Sequence, residues 1–486
     1  MVLRPCVARP RSCPNSRVRA DYLKPRGEHV RVLHIHKGVG HVGGGAGISL
    51  QRLHRTLLRL GVDSKILVLQ DEGAGPDVSR LPRVETLSLE TRLRWITSRL
   101  GLNDVHRLGS FQLGRHTFFQ NADLVHFHGM HSGTFSYLAL PGVASLRPCL
   151  MSLHDTWAFT GHCAYAHDCE RWKMGCGDCP SPEEPPAIAR DGTRLEWRMK
   201  SRALLKSGIG LISKSTWTTR MARVSALRHL PLTEIPYGVD TGVYRPRGRA
   251  RSRELLGLPQ DRFVLLVAAR DLSDRRHGID LLMGALQALA PDLSRRCILL
   301  VMGRHGVELV QGAGLPVRDL GYLADGHLKA IAYSAADLYL FPTRADVFGL
   351  SSIESQACGT PVVSFRVGGV PDHVRPGETG FLAEPDDVFG LRDGIALLLQ
   401  NEAARLRMAG TCRSSVLQDY DLSLEATRHA DLYESVLSQA ATTADSGPRL
   451  VPPYPGPEPA GFPRSGDGSA NRVEKRQQVA PTAESD

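Results

Sequence analysis

Residues 30–61 read VRVLHIHKGVGHVGGGAGISLQRLHRTLLRLG. The opening VRVLHIH is a short apolar run of the kind that forms a buried strand. The closing ISLQRLHRTLLRLG spaces its apolar residues as a helix does and stops on Gly61. Between them, Gly43, Gly44, Gly45 and Gly47 let the backbone approach a ligand closely, and the helix N-terminus that follows offers N–H groups to an anion. The glycines lack the GxGxxG spacing of a dinucleotide fold. Taken alone, the loop is either a tight strand–helix turn or a phosphate- or sugar-binding loop.

The same strand-then-helix rhythm runs outward from this unit. SKILVLQ (64–70), DLVHFHG (123–129), PCLMSLHD (148–155) and IGLISKS (209–215) read as further buried strands. After the basic Gly/Pro linker YGVDTGVYRPRGRA (237–250) the rhythm restarts with RFVLLVAAR, RCILLVMGR, DLYLFPT and PVVSF, with helices such as GIDLLMGALQALA between them. Alternation of this kind signals βαβ units and parallel sheets. The fold class expected is α/β, two doubly wound Rossmann-like domains in tandem, at 29–240 and 241–420. Residues 421–439 are expected to form a helix crossing back to the first domain. Ligands of such sheets sit at the carboxyl ends of the strands, so the two sets of ends should face each other across a cleft.

A chain of 486 residues exceeds one ordinary core and suits two domains. No apolar run reaches the length that spans a membrane. The Arg- and Pro-rich start, residues 1–28, reads as a disordered basic extension without the apolar stretch of a secretory signal. From 440 onward the Pro-, Gly- and polar-rich composition reads as a disordered tail. The expected setting is cytoplasmic, with peripheral contact at the inner face of the membrane. A net charge of +10 invites a nucleic-acid reading. No helix-turn-helix or aromatic–basic platform supports it; the stronger reading is the Arg-rich usage typical of a high-GC genome with a basic N-terminal extension, and a basic surface also suits acidic membranes and anionic sugar nucleotides.

Chemistry concentrates in four places. In RADVFGLSSIESQACGTPVV (344–363), Asp346 falls in a loop after a strand and Glu354 in the first turns of a helix. A carboxylate can grip two sugar hydroxyls at once. Acid spacing alone reads more readily as a loop or cap acid and a solvated helix residue. The whole phrase, followed by GGVPDHV (368–374) and GETGFL (377–382), closely resembles glycosyltransferase family 4. Its segments there run E-x-FG-L, E-A-x-A-x-G-x-P-V-V, G-G-x-x-E and G-x-x-G.

The resemblance covers roughly residues 30–438 and implies a GT-B fold and retaining transfer of a sugar from a nucleotide diphosphate. It matches Glu354 to the acid that holds the donor ribose. Asp346 falls where the family has a Glu that contacts the donor sugar, and is one methylene shorter. The backbone around Phe348, Gly349 and Leu350 matches the loop that meets the pyrophosphate. His373 stands where the family often has Glu and is assigned no role.

In VAARDLSDRRHGIDLL (267–282), Arg270 matches a family Arg that neutralises the leaving diphosphate. The family's second cation, a Lys, is replaced by His277, preceded by Arg275 and Arg276. Leaving-group stabilisation needs a cation in the transition state, and a neutral imidazole is weaker. Either His277 is protonated beside the diphosphate or Arg276 takes over. In SLHDTWAFTGHC, His154 and Asp155 end a strand at the cleft, where the family has a His beside the donor sugar; a cap by Asp155 with His154 merely exposed is the other reading. HFHGMHSG adds His126, His128 and His131, with His128 able to line the acceptor side or to be a plain loop histidine.

The fourth place is CAYAHDCERWKMGCGDC (163–179), which gathers Cys163, Cys169, Cys176 and Cys179 of the ten cysteines in the chain. The remaining six read as plain thiols. Without export, clustered cysteines lean toward metal, and a C-x5-C-x6-C-x2-C spacing can close four thiolates around a tetrahedral zinc. Such a site leaves no open position and is structural. Reduced thiols packed in a loop and disulfides are the alternatives, and His162 and His167 are spare ligands. The segment resembles a subgroup of family 4 tied to colanic acid and other exopolysaccharides. The resemblance implies a nucleotide-sugar donor (UDP- or GDP-), a glycan or lipid-linked acceptor, and no catalytic metal. A phosphorylase or sugar-phosphate glycosyltransferase on the same fold, and a non-catalytic zinc-stabilised sugar-nucleotide-binding protein, are the rivals.

Overall fold

The computed structural model describes residues 30–444, except 41–42, 70–74 and 83–86. The extension at 1–28 and the chain beyond 444 lie outside the described residues. The chain is α/β, with two parallel sheets. The first has seven strands: β1 (Arg31–His36), β2 (Asp63–Val68), β3 (Val78–Arg80), β4 (Leu124–Phe127), β5 (Cys149–Leu153), β6 (Gly210–Ser213) and β7 (Leu232–Glu234), in the order β3-β2-β1-β4-β5-β6-β7. The second has six: β8 (Phe263–Asp271), β9 (Cys297–Arg304), β10 (Val317–Asp319), β11 (Leu338–Phe341), β12 (Val362–Phe365) and β13 (Gly380–Ala383), in the order β10-β9-β8-β11-β12-β13. Every pairing is parallel, as the near-continuous apolar runs require, since helices cover both faces. Strand order reverses between β1 and β4 and again between β8 and β11. A doubly wound sheet opens a ligand crevice at just these points.

The two faces of the first sheet differ. Odd-numbered residues of β1 and β4, Leu33, Ile35, Val125 and Phe127, enter one apolar core. The even-numbered face is apolar only at its base, where Val32, Leu124, Leu150 and Ile212 pack with Ala426, Ala430 and Tyr433 of the last helix, Leu422–Ala444. One step up the strands the same face turns polar. There stand His34, His126, Ser152 and Lys214, all buried.

The last helix runs to Ala444, five residues past the boundary expected at 439. The chain passes between the sheets twice, and the two passages are joined. Val239 N–H donates to Tyr420 O (2.9 Å), and Leu422 N–H returns to Val239 O (3.0 Å). Lys214 Nζ meets Glu425 Oε1 at 3.1 Å with both side chains 1% exposed, while Glu425 Oε2 accepts from Gly238 N–H. A Cβ at position 238 would fall 2.6 Å from Leu422 Cα, so glycine is what lets the two passages touch.

Candidate active site

The reversal points of both sheets open onto one cleft of about 590 Å³. Its walls bring together Gly44, Gly45 and His154 from the first sheet's loops with Arg270, Arg276, His277, Asp346, Leu350 and Glu354 from the second's. The glycine loop serves two ends. Cβ atoms at Gly43 and Gly47 would press on Gly38 O at 2.1 and 2.7 Å, so these two glycines let the loop fold on itself. Gly44 and Gly45 face outward instead. A Cβ at Gly44, where φ is +67°, would lie 3.6 Å from Arg270 Nη1, and one at Gly45 3.8 Å from Leu350 Cδ1. The loop and Arg270 thus oppose each other at a spacing that keeps an anion within reach of both.

Arg276 lies against Asp346 (Nη1 to Oδ2, 3.6 Å) and over the ring of Tyr165, 4.8 Å from its centroid. Burial would weaken its charge, but Tyr165, Asp346 and Asp274 raise its pKa, and it stays a cation. His277 behaves oppositely. Burial and the adjacent Arg276 hold its imidazole below the ordinary histidine range, so it is neutral at pH 7. Both residues that sequence left open for the second positive charge, Arg276 and His277, border the cleft.

Asp346 is fixed by a hydrogen bond that Oδ1 accepts from Phe348 N–H (3.0 Å). That N–H is therefore committed to Asp346. The Phe348 ring is buried behind the cleft against Tyr237, His373 and Tyr420. Val347, Leu350 and Ser351, on either side of Phe348 and Gly349, are part of the cleft wall, so the loop expected to meet the diphosphate borders the cleft. Gly349, at φ +94°, turns the chain into the helix Leu350–Ala357, and the first N–H groups of that helix have no carbonyl of their own turn to bond.

Glu354 is not a solvated helix residue. It is 5% exposed, and Oε1 accepts from Arg52 Nη2 at 2.7 Å. Arg52 belongs to the helix Gly44–Arg59 of the first domain and also donates to Tyr244 OH (2.9 Å). Burial pushes the Glu354 carboxyl up; Arg52 and Lys329 outweigh it and hold it below its usual value.

His154 stands at the cleft in a chain of neutral rings. Its Nδ1 pairs with Tyr237 OH, and its Nε2 lies 3.1 Å from His128 Nδ1. His128 Nε2 in turn lies 2.9 Å from His34 Nδ1. Burial, then neighbouring charges, hold His154 and His128 well below the ordinary range. Both nitrogens of His154 are engaged within the protein, so the ring lines the cleft without a spare polar atom. His128 joins it there. Asp155 pairs with His131 (2.8 Å) and also accepts from Trp157 N–H, so the cap reading of Asp155 and the cleft reading both describe it.

The cysteine loop reaches the cleft through Tyr165, whose ring lies under Arg276. Behind Tyr165, Cys163, Cys169 and Cys179 line a hollow of about 370 Å³ with His167 and Glu184. All four thiols are unpaired. Cys176 Sγ accepts from Gly161 N–H (3.1 Å), and His162 Nε2 is 3.3 Å from Cys179 Sγ. Among the described residues, the one set of three His, Cys, Asp or Glu donor atoms lying within 4.8 Å of each other is His34, His126 and His128, not a set of thiols. The donor set suits zinc in kind, and the sulfurs stand wider apart than a closed tetrahedral site.

Sequence reasoning missed Arg52, Tyr165 and Tyr237. Arg52 lies off the apolar stripe of its helix and carries no motif. Tyr165 sits inside the cysteine segment, where the thiols drew the attention.

Residues 43–243 match the family model described as Glycosyltransferase Family 4, and residues 262–401 the model described as Glycosyl transferases group 1. Among curated relatives, D-inositol 3-phosphate glycosyltransferase 1 of Catenulispora acidiphila is 37% identical over 34% of this chain and 43% of its own length. A D-inositol 3-phosphate glycosyltransferase of Thermobispora bispora is 31% identical over 47% of this chain and 57% of its own. The chain thus spans about half the length of the curated relatives it matches. The fold is shared with sucrose-phosphate synthase from Thermosynechococcus elongatus (TM-score 0.61, 21% identity, 85% of this chain and 100% of that one). It is shared also with Anabaena Alr3699/HepE in complex with UDP and glucose (TM-score 0.58, 18% identity, 86% and 100%). The two family models together take in more than two thirds of the chain, in order and one on each sheet, and the chain belongs to the family 4 glycosyltransferases, with their GT-B fold.

Proposed function

We propose that the protein transfers a sugar from a nucleotide-diphosphate donor, UDP- or GDP-linked, to a hydroxyl acceptor with retention of configuration. The observation that carries this reading is the opposition across one cleft of Gly44 and Gly45 to Arg270, with Arg276 and Asp346 beside them. Developing negative charge on a departing diphosphate meets fixed cations and backbone N–H dipoles that need no rearrangement, which is where catalysis gains most. Glu354 takes the ribose, and His154 and Asp346 border the sugar. No side chain stands out as a nucleophile, so no covalent intermediate is proposed. The test is release of UDP or GDP from a panel of nucleotide sugars, with and without acceptors. Donor-dependent release that rises with an acceptor supports transfer. Tight nucleotide binding with no release supports a sugar-nucleotide-binding protein.

For the acceptor, a glycan or lipid-linked glycan of the cell surface is proposed. Among the described residues, no helix is long and apolar enough to cross a membrane. The helix Leu87–Arg99 exposes Trp95 and Ile96, with Leu100 following, beside Arg92, Arg94 and Arg99. A basic amphipathic face of this kind suits an anionic bilayer surface. Co-sedimentation with phosphatidylglycerol vesicles, and its loss in Trp95→Ser, is the expected outcome; equal binding to phosphatidylcholine vesicles would contradict it. The names of the curated relatives favour a second acceptor, an inositol phosphate, and Lys37 on the first domain's side of the cleft is a cation for it. Inositol phosphates therefore belong in the acceptor panel.

The cysteine loop is proposed to hold one structural zinc. The support is the donor set, the unpaired thiols of Cys163, Cys169 and Cys179 around one hollow, with Cys176 in the same loop and His162 at hand. Closing on an ion draws the sulfurs together from where they stand. Such a site binds with roughly 10–16 kcal/mol, so purified protein is expected to carry about one zinc per chain. Metal-free protein of full stability would contradict it.

A further inference from the structure

Glu354 presents a physical problem. A carboxylate on a helix at the cleft floor, almost out of water, stays charged only if something charges it. Two cations do so. Lys329 comes from its own domain. Arg52 comes from the other domain, and its Nη2 is shared between Glu354 Oε1 (2.7 Å) and Tyr244 OH (2.9 Å). The guanidinium lies 5.2 Å from the centroid of the Tyr244 ring. On the far side, Tyr333 OH approaches Glu354 Oε2 at 3.4 Å, a weak contact that leaves this oxygen for a ligand. Glu354 is part of the cleft wall and Arg52 is not, so Arg52 acts from behind. Its Nη1 is buried and makes no hydrogen bond.

We propose that Arg52 is a positioning residue of the donor site. It reaches from the first domain to hold Glu354, ionised and with Oε2 facing the cleft, for the ribose diol of the donor. The donor's nucleoside end is thus built by both domains, although the diphosphate cations all belong to the second. Gripping the ribose requires the Arg52–Glu354 contact, and so requires the two domains in this mutual position. This rests on the reading of Glu354 as the ribose acid.

The groups facing Glu354 are Arg52 and Tyr244 from the domain junction, Lys329 and Tyr333 from the helix Gly326–Ala335, Tyr339 from β11, and Cys358 from the end of its own helix. Without Arg52, Lys329 is left as the main charge opposing burial, and the carboxyl pKa moves upward. The grip then weakens as pH falls through the raised pKa.

The experiment is calorimetry of the full-length protein with UDP and GDP and with their 2′,3′-dideoxy analogues, from pH 5 to 8. In the wild type, the ribonucleotide with the correct base should bind at least tenfold tighter than its dideoxy analogue, by a ratio constant over this range. Arg52→Gln should lose most of that ratio at pH 6 and regain part of it at pH 8, with dideoxy binding unchanged. Arg52→Lys should restore the ratio to within a few-fold. A wild-type ratio that collapses between pH 6 and 5 overturns the role of Arg52, even if no variant folds. A full ratio in folded Arg52→Gln overturns it too. No ratio in the wild type removes Glu354 from the ribose, and the inference falls with that reading.

Discussion

Arg276 and His277 are neighbours with opposite electrostatics, and the difference is testable. Arg276 has carboxylates and a tyrosine ring around it and remains charged. His277 is buried beside that charge and is neutral. Arg276→Ala is expected to lose about 100-fold in turnover, the worth of one transition-state contact of ~3 kcal/mol. His277→Ala should lose no more than about 3-fold, the scale of an uncharged contact worth under 1 kcal/mol. Turnover at saturating donor should not fall as pH rises from 6 to 8. A fall that His277→Lys abolishes would return the charge to His277. The residues legible in sequence were those in a phrase: Arg270 at a strand end, Asp346 and Glu354 around FGL, and the glycines after the first strand. Arg52 and Tyr165 were not legible, because each acts through a contact made by a distant part of the fold. The phrase marks the 348–350 loop without showing that Asp346 holds the Phe348 N–H.

At the scale of elements, the strand pattern was plain, since both faces of a parallel strand are buried and the apolar runs show it. Less plain was the polar layer on the even-numbered face of the first sheet. Lys214 and Glu425, 1% exposed each, pin the last helix to that layer and to the first passage between the domains. Breaking a buried ion pair from one side leaves a bare charge, so Glu425→Ala is expected to cost about 3–5 kcal/mol in denaturant unfolding. Replacing both partners with apolar residues should cost much less. If the single variant costs under about 1 kcal/mol, Lys214 has found another partner or its proton has left. The helix also ends later than its composition implied, because Leu432 and Tyr433 anchor its middle to the core and carry the following turns with them.

Across the molecule, buried histidines make stability depend on pH. His34 and His36 are pushed down to about 3 and about 4, and His126, His128, His154 and His429 lie well below the usual range, all chiefly by burial. The unfolded chain takes up protons at these groups below an ordinary pKa of about 6.5, while the folded chain does not. Stability therefore rises with pH in this window, and each group left neutral withdraws about 2 kcal/mol between pH 6.5 and 5. Melting temperature is expected to drop steeply from pH 7 to 5, and the drop should soften in His34→Asn. A flat profile would mean that the layer is already charged or hydrated.

The architecture places this layer under one wall of a cleft whose other wall holds the cations, and the central claim is that the two walls together perform transfer. The most direct measurement is the anomeric configuration of the product, followed by NMR during turnover of the nucleotide sugar that releases UDP or GDP. Transfer between the two walls predicts a product with the donor's configuration, formed by the wild type and all but lost in Arg276→Ala. A product of inverted configuration, or one formed equally well by Arg276→Ala, would contradict it.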